Sequence, residues 1–514
     1  MAYISGFDRN QSFLFSLNDF ISDNNPVRLI DLFVDLLDLP ALGFISHSPS
    51  SPGQRPYRSS DLLKLHLYGY VNGIRSSRKL AAECSRNVEL MWLLNNVSPA
   101  KSCISDFIRL NKSPIHNVFK KFVDFLKFAD FVDAKACVID GSKIRAQNSR
   151  NKFFSIKKID ATISFFNSQI DKYISALQSA ESSVDSDPDA IISFNQSISH
   201  YKDKLAQFHS LKDSMISNSL SQVSITDPDS RMMSSHGNSD ISFNLQTSVD
   251  SKNSLIVAND VVSDINDSNQ LLNMVSKTID NLHCVPSASI ADMGYFNSKL
   301  IADCEALHTH VFVKRPKSKN ATNDSRFSCD KFSFLPDKNI YICPAGHELH
   351  FSRNLTKKKS PLDSHASIVG FEYSCSDCFH CPFFGKCTTS LAGRKITRNF
   401  FQDILDVVQK RFDDNPHMYT LRKCVVEHPF GTIKRSLGYT YFLRRGLDSV
   451  RAEATLICLA YDIKRVCNIA PFSFLKDKLK EFFLAFPSFF NLFFSSLLKK
   501  TKSTYFFLFC RFCF

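Results

Sequence analysis

The feature that most restricts how this chain can fold is a pair of short, mostly apolar segments, far apart in sequence, that each run into an aspartate. Ala136-Cys137-Val138-Ile139 leads into Asp140-Gly141, and Ala288-Ser289-Ile290-Ala291 leads into Asp292-Met293-Gly294. Brief apolar runs bounded by turn-forming residues read as buried strands. Between them, Ile241 to Val249 and Ser254 to Val262 are joined by Asp250-Ser251-Lys252-Asn253, which predicts a hairpin, and a helix is predicted from Asn269 to Leu282. Beyond Asp292 come a helix from about Asn297 to Leu307 and the strand His310-Val311-Phe312-Val313.

Strand, two hairpin strands, helix, strand, helix, strand is the order of an α/β fold with a mixed sheet of the ribonuclease H type. Strand adjacency is inferred from that order, and it would set the two aspartates at the ends of neighbouring strands. Other segments surround this core. The first 130 residues read as helices, notably Asp61 to Ile74 and Leu80 to Leu94, with Arg75, Arg78, Lys79, Arg86, Lys101, Arg109 and Lys112 spread among them. That distribution suits phosphate contacts or an ordinary solvated surface. Ile159, Ile163, Phe166, Ile170, Tyr173 and Leu177, then Ile191, Phe194, Ile198, Tyr201, Leu205 and Phe208, step by threes and fours on either side of Asp185-Ser186-Asp187-Pro188. This predicts an antiparallel helical hairpin projecting as an arm. The expected division is an N-terminal all-α DNA-binding domain (1–130), a first core part (131–314) with the hairpin inserted at 151–225, a Cys-rich zinc-ribbon-like insertion (315–397), the closing core helices (398–470) and a Phe-rich tail (471–514).

Composition narrows the function. The 514 residues are 44% hydrophobic and 22% charged, as a mainly folded soluble chain would be. A net charge of +13 favours a polyanionic partner. Glycine is scarce, at 15 residues, and neither a Walker A loop nor a dinucleotide fingerprint is present, so nucleotide-cofactor enzymes drop in rank. Met1 to Arg9 lacks a secretory pattern, so the 16 cysteines are expected to be reduced in a cytoplasmic setting. Phe482 to Leu498 is an apolar run between basic residues, at the lower edge of spanning length and interrupted by Pro487 and Asn491; an interfacial helix or a tail beyond the domain end is expected in preference to a span.

Asp140, Asp292 and Glu427 form the expected catalytic constellation, because phosphoryl transfer with two metal ions needs carboxylates converging from separate elements. Separately, Cys375-x2-Cys378-x2-Cys381-x5-Cys387, with Cys343 upstream, offers thiolates at spacings that close a tetrahedral zinc site. Five cysteines exceed four places: the favoured set is Cys343, Cys375, Cys378 and Cys381, or one in which Cys387 replaces a member, with His347 and His380 as alternates. Unpaired loop cysteines are the plainer reading.

Asp140-Gly141-Ser142-Lys143, Ala291-Asp292-Met293-Gly294-Tyr295 and Val426-Glu427-His428-Pro429-Phe430-Gly431-Thr432-Ile433-Lys434 resemble the three catalytic blocks of bacterial insertion-sequence transposases of the DDE class. Asp227 to Arg231, Asn244 to Asp250, Ala460 to Arg465 and the region through Tyr57-Arg58 also resemble that family, which extends the likeness over about residues 5 to 470. The resemblance implies Mg²⁺ or Mn²⁺, two ions, held by Asp140, Asp292 and Glu427; hydrolysis at the element's terminal inverted repeats; and attack of the freed 3′-hydroxyl on target DNA. It also implies a bacterial cytoplasmic protein acting as a homodimer in the synaptic complex. Lys434 matches the family's lysine downstream of the glutamate, placed to meet a DNA phosphate. Upstream the pattern departs: Tyr419 and Arg422 stand one position farther from Glu427 than usual, with Lys423 where arginine is expected, so Arg422 is the candidate second DNA contact. His428 reads as a general base or as local structure. The alternative to a transposase is a non-catalytic, zinc-bearing DNA-binding protein, a decayed relative that only occupies its ends.

Overall fold

A computed structural model of the protein describes residues 16–45, 56–182, 188–218, 220–235, 237–316, 327–357, 367–388 and 390–485. The expectations for Met1 to Arg9, for Asp185-Ser186-Asp187 and for Phe486 to Leu498 lie outside the described residues.

Helices open the chain: α1 (Pro26–Leu36), α2 (Ser59–Val71), α3 (Ser77–Glu83), α4 (Val88–Leu93), α5 (Lys101–Leu110) and α6 (Lys112–Phe128). The single helix expected over Leu80 to Leu94 is thus two, because Asn87 caps α4 by accepting from the amides of Glu89 and Leu90, ending one helix and starting the next. Helix α2 is buried on almost every side. Its buried Lys64 and His66 each find a partner: Lys64 Nζ lies 2.6 Å from both Asp31 and Asp35, and His66 Nε2 lies 2.9 Å from the Ile104 carbonyl.

Strand β1 (Ala136–Arg145) follows, then a small ladder of β2 (Phe153–Ser155) with β3 (Gln222–Ser224) at the base of the helical hairpin α7 (Ile156–Glu181) and α8 (Pro188–Ser217). Phe154, Ile159, Met215 and Val223 form a separate small core there, which includes only the first of the stepped apolar residues as a fully buried member. Next come β4 (Arg231–Ser235), β5 (Asn238–Asp250), β6 (Leu255–Val262), α9 (Leu271–Leu282), β7 (Ala288–Ala291), α10 (Ser298–Ala306) and β8 (His310–Val313). The six-stranded sheet runs β4-β5-β1-β7-β8, with β6 also on β5; β1 is antiparallel to β5 and parallel to β7, and β7 is parallel to β8. One expectation is corrected. Strand β1 does not stop at Asp140-Gly141 but continues to Arg145, because long β5 pairs with it as far as Arg145 with Ser242. Asp140 therefore sits within a strand, where both neighbours are held in register.

The Cys-rich region is a five-stranded antiparallel meander, β9 (Ser333–Leu335), β10 (Ile340–Ile342), β11 (Glu348–Lys357), β12 (Ser367–Ser374) and β13 (Lys395–Asn399), in sequential order. The helix expected from Arg398 instead begins later, as α11 (Gln402–Asp414): Arg398 belongs to β13, where pairing with Phe371 claims its backbone. Then come α12 (His417–Gly431), one π-helical turn (Thr432–Ser436), α13 (Leu447–Ile469) and α14 (Phe472–Ala485). The last corrects the expected tail: its first part is a docked helix whose Leu475, Leu479 and Phe482 are buried.

The N-terminal helices share one apolar core with the sheet, α13 and α14. Arg75 fastens this junction, donating to the Tyr441 carbonyl and to buried Glu453 of α13 (3.1 Å) while lying over the rings of Tyr439 and Tyr441. Among the described residues no helix is long and apolar enough to cross a membrane.

Candidate active site

Parallel pairing of β1 with β7 sets Ala136 against Ala288 and Val138 against Ile290, and the same register carried two residues further brings Asp140 beside Asp292. Adjacent strands lie roughly 4.8 Å apart, so both aspartates occupy one edge of the sheet. Asp292 also caps the short 3-10 turn Met293–Tyr295 by accepting from the Gly294 amide at 2.7 Å, which fixes one carboxylate oxygen. Burial pushes the Asp140 carboxyl up to about 6; Arg422 opposes this, and the negative charges of Asp292 and Asp267 add to it. Such crowded acid oxygens at the end of a strand pair fit a hard divalent cation, whose charge relieves the repulsion.

Helix α12 lies over β1, β5 and β7. It brings Arg422 Nη1 to 3.7 Å from Asp140 Oδ1, so the arginine displaced from the family spacing is the one that meets the acid. Its neighbour Lys423 is exposed and lies over Tyr419, as Arg422 and Lys314 also do. Lys434, in the π-helical turn, donates from Nζ to the Lys143 carbonyl at 3.2 Å. Burial lowers its pKa and the nearby Asp140 charge resists that change. A single π turn re-phases the residues after it, and such turns recur at functional sites.

Glu427 is exposed on α12, and among the described residues no group of three or more His, Cys, Asp or Glu side chains is gathered tightly enough to hold one metal ion. The structure thus draws Asp140, Asp292, Arg422 and Lys434 together, and Glu427 stands exposed on α12. His428 is local structure: Nδ1 lies 2.8 Å from the Tyr461 hydroxyl and Nε2 3.2 Å from Arg465 Nη1.

Cys343, Cys375, Cys378, Cys381 and Cys387 line one small cavity of about 20 Å³ in the meander, together with His347. Backbone amides point at two of the sulfurs, from His347 to Cys343 Sγ and from Arg394 to Cys378 Sγ, both at 3.3 Å. Gly393 (φ +78) permits the second approach, since a Cβ there would meet the Cys375 carbonyl. His380 is not among the lining residues.

Sequence reasoning assigned no role to Asn244, Gln246, Asp267 or Lys143, which form a polar cluster beside Asp140. A signal was present: Asn244 and Gln246 alternate with Phe243 and Leu245 along β5, which sets both amides on one face of the strand.

Two family models match the chain, a transposase DDE domain over residues 342–467 and a transposase domain (DUF772) over residues 15–110. Both matches indicate an insertion-sequence transposase of the DDE class. The DDE match takes in Arg422, Glu427, Lys434 and the five cysteines of the cavity, whereas Asp140 and Asp292 fall between the two matched stretches. No curated protein and no solved structure matches the chain.

Proposed function

We propose that this transposase binds the terminal inverted repeats of its element and cleaves and transfers DNA strands at a site built from Asp140, Asp292 and Glu427 on a ribonuclease H-type core. The observation that carries the reading is the parallel register of β1 on β7 beneath α12, which two residues further on sets Asp140 beside Asp292. Two divalent cations, Mg²⁺ or Mn²⁺, would supply charge neutralisation at the scissile phosphate and an activated water. Asp140 and Asp292 hold that charge in place. Arg422 and Lys434 contribute positive charge beside Asp140, where a DNA phosphate approaches. Glu427 completes the carboxylate set when α12 adjusts to bound DNA, with the π-helical turn as its compliant end. No covalent intermediate with the protein is needed, and synapsis of two ends calls for a homodimer acting in the cytoplasm.

Asp140→Asn, Asp292→Asn and Glu427→Gln are each expected to abolish nicking of a duplex carrying the sequences that flank the coding segment, while gel retardation of that duplex persists. An amide keeps the shape and loses the charge. Nicking at the wild-type rate in any one variant removes that residue from the site. The exposed position of Glu427 favours one competing reading, a protein that binds ends without cutting them; it is the correct one if wild-type protein retards the duplex in Mg²⁺ and never nicks it.

The meander carries a second metal, a structural zinc bound by four of Cys343, Cys375, Cys378, Cys381 and Cys387. The support is that all five line one cavity, with backbone amides directed at the sulfurs of Cys343 and Cys378; a bound ion would draw the thiols closer together than the described side chains stand. About one zinc per chain is expected by metal analysis, falling with Cys378→Ser and Cys381→Ser together, which should also open the meander to limited proteolysis. Well-folded protein without zinc returns these residues to the unpaired-cysteine reading.

A further inference from the structure

Gln246 is fully buried on β5, opposite Gly141 of β1. Its Nε2 donates to Asp267 Oδ1 at 2.7 Å, and its Oε1 accepts from the hydroxyl of Tyr295. Asp267, which follows β6, receives two more donors on the same oxygen, Asn244 Nδ2 at 2.6 Å and Lys143 Nζ at 3.4 Å. Tyr295 is itself fully buried and closes the 3-10 turn that Asp292 caps. Gly141 leaves room for the crossing: a Cβ there would come within 2.8 Å of Asp267 Oδ1 and 3.1 Å of Asn244 Oδ1. A continuous hydrogen-bonded chain therefore runs from the turn that carries Asp292, through β5, to Asp267 and on to Lys143 of the strand that carries Asp140.

Burying a phenol, two amides and most of a carboxylate is costly unless each is partnered, and apolar side chains would fill this space more cheaply. What the polar chain adds is direction. Ligands on separate strands share an ion only when their separation is held to within about half an ångström. We propose that Gln246 is a positioning residue that fixes the separation of the Asp140 and Asp292 carboxylates, acting through Tyr295 on one side and Asp267 on the other. The proposal rests on the reading of those two aspartates as cation ligands.

The test uses the full chain with Gln246→Met, Tyr295→Phe, both together, and Asp140→Asn. Calorimetric titration with Mn²⁺ alone measures cation association, Mg²⁺-dependent nicking of the flanking-sequence duplex measures turnover, and retardation of the duplex reports folding. Each single positioning variant is expected to weaken Mn²⁺ association about 10-fold and to raise the Mg²⁺ needed for half-maximal nicking by a similar factor, with retardation unchanged. The double variant is expected to lose no more than either single, because both break one chain. Wild-type Mn²⁺ association in both single variants, with association lost in Asp140→Asn, overturns the positioning role alone. Loss of duplex retardation in both overturns it in favour of a folding role. Wild-type Mn²⁺ association in Asp140→Asn overturns the cation-ligand reading itself and this proposal with it.

Discussion

Arg422 and Lys423 are adjacent on α12, and only the first reaches Asp140. At 3.7 Å this is an ion pair beside a largely buried carboxylate, and removing the cation leaves that charge unopposed. Arg422→Ala is therefore expected to slow nicking about 10-fold or more, while Lys423→Ala, which removes an exposed cation over Tyr419, is expected to stay within about 3-fold; a nicking assay on the two variants reads the difference. The family's spacing expects an arginine where Lys423 stands; counting along a motif does not register how the helix lies on the sheet. Asp140 and Asp292 were legible for the opposite reason: each comes directly after four buried strand residues, a local pattern that holds although β1 continues past Asp140. Gln246 and Asn244 were not, since amides on a strand read as a wet face until a second layer is seen to cover them.

Helix α2 shows what burial on all sides demands of single side chains. His66 accepts no second partner for its Nδ1 and stacks on Phe107 at 5.4 Å between centroids. Burial lowers its pKa from 6.5 to about 4. Between those values the unfolded chain binds a proton that the folded chain refuses, so this contribution to stability is present above pH 6.5 and is lost as pH falls. The loss amounts to about 2 kcal/mol by pH 5. Urea unfolding at pH 7 and pH 5 should show it, and His66→Gln, which retains a donor but does not titrate, should lessen the difference. Elements were readable where their own residues decide them, as in the hairpin α7–α8, whose apolar steps appear in both halves. They were misread where a partner decides: β1 outruns its Asp-Gly turn signal because β5 is long, and Arg398 joins β13 because β12 is alongside.

At the scale of the molecule, the helices of the first hundred residues and the last described helix close over the same core. Phe482 of α14 packs on Phe125 at 6.0 Å and on Phe128 at 5.5 Å, so Phe482→Ala is expected to destabilise by roughly 3–5 kcal/mol, measured as a lower urea midpoint. A chain ended at Ala470 should lose more, since Leu475 and Leu479 go with it. Low complexity had suggested an interfacial helix or a tail beyond the domain end; composition does not reveal which three residues of such a stretch face inward. The clasp of Arg75 on Glu453 spans 378 positions. At about 5–20 residues per second, a ribosome needs roughly 20–75 s to travel that distance. For that interval the nascent N-terminal helices hold a cation and an apolar face ready for a helix not yet made, and how much protein a cell recovers depends on what shields them until α13 emerges.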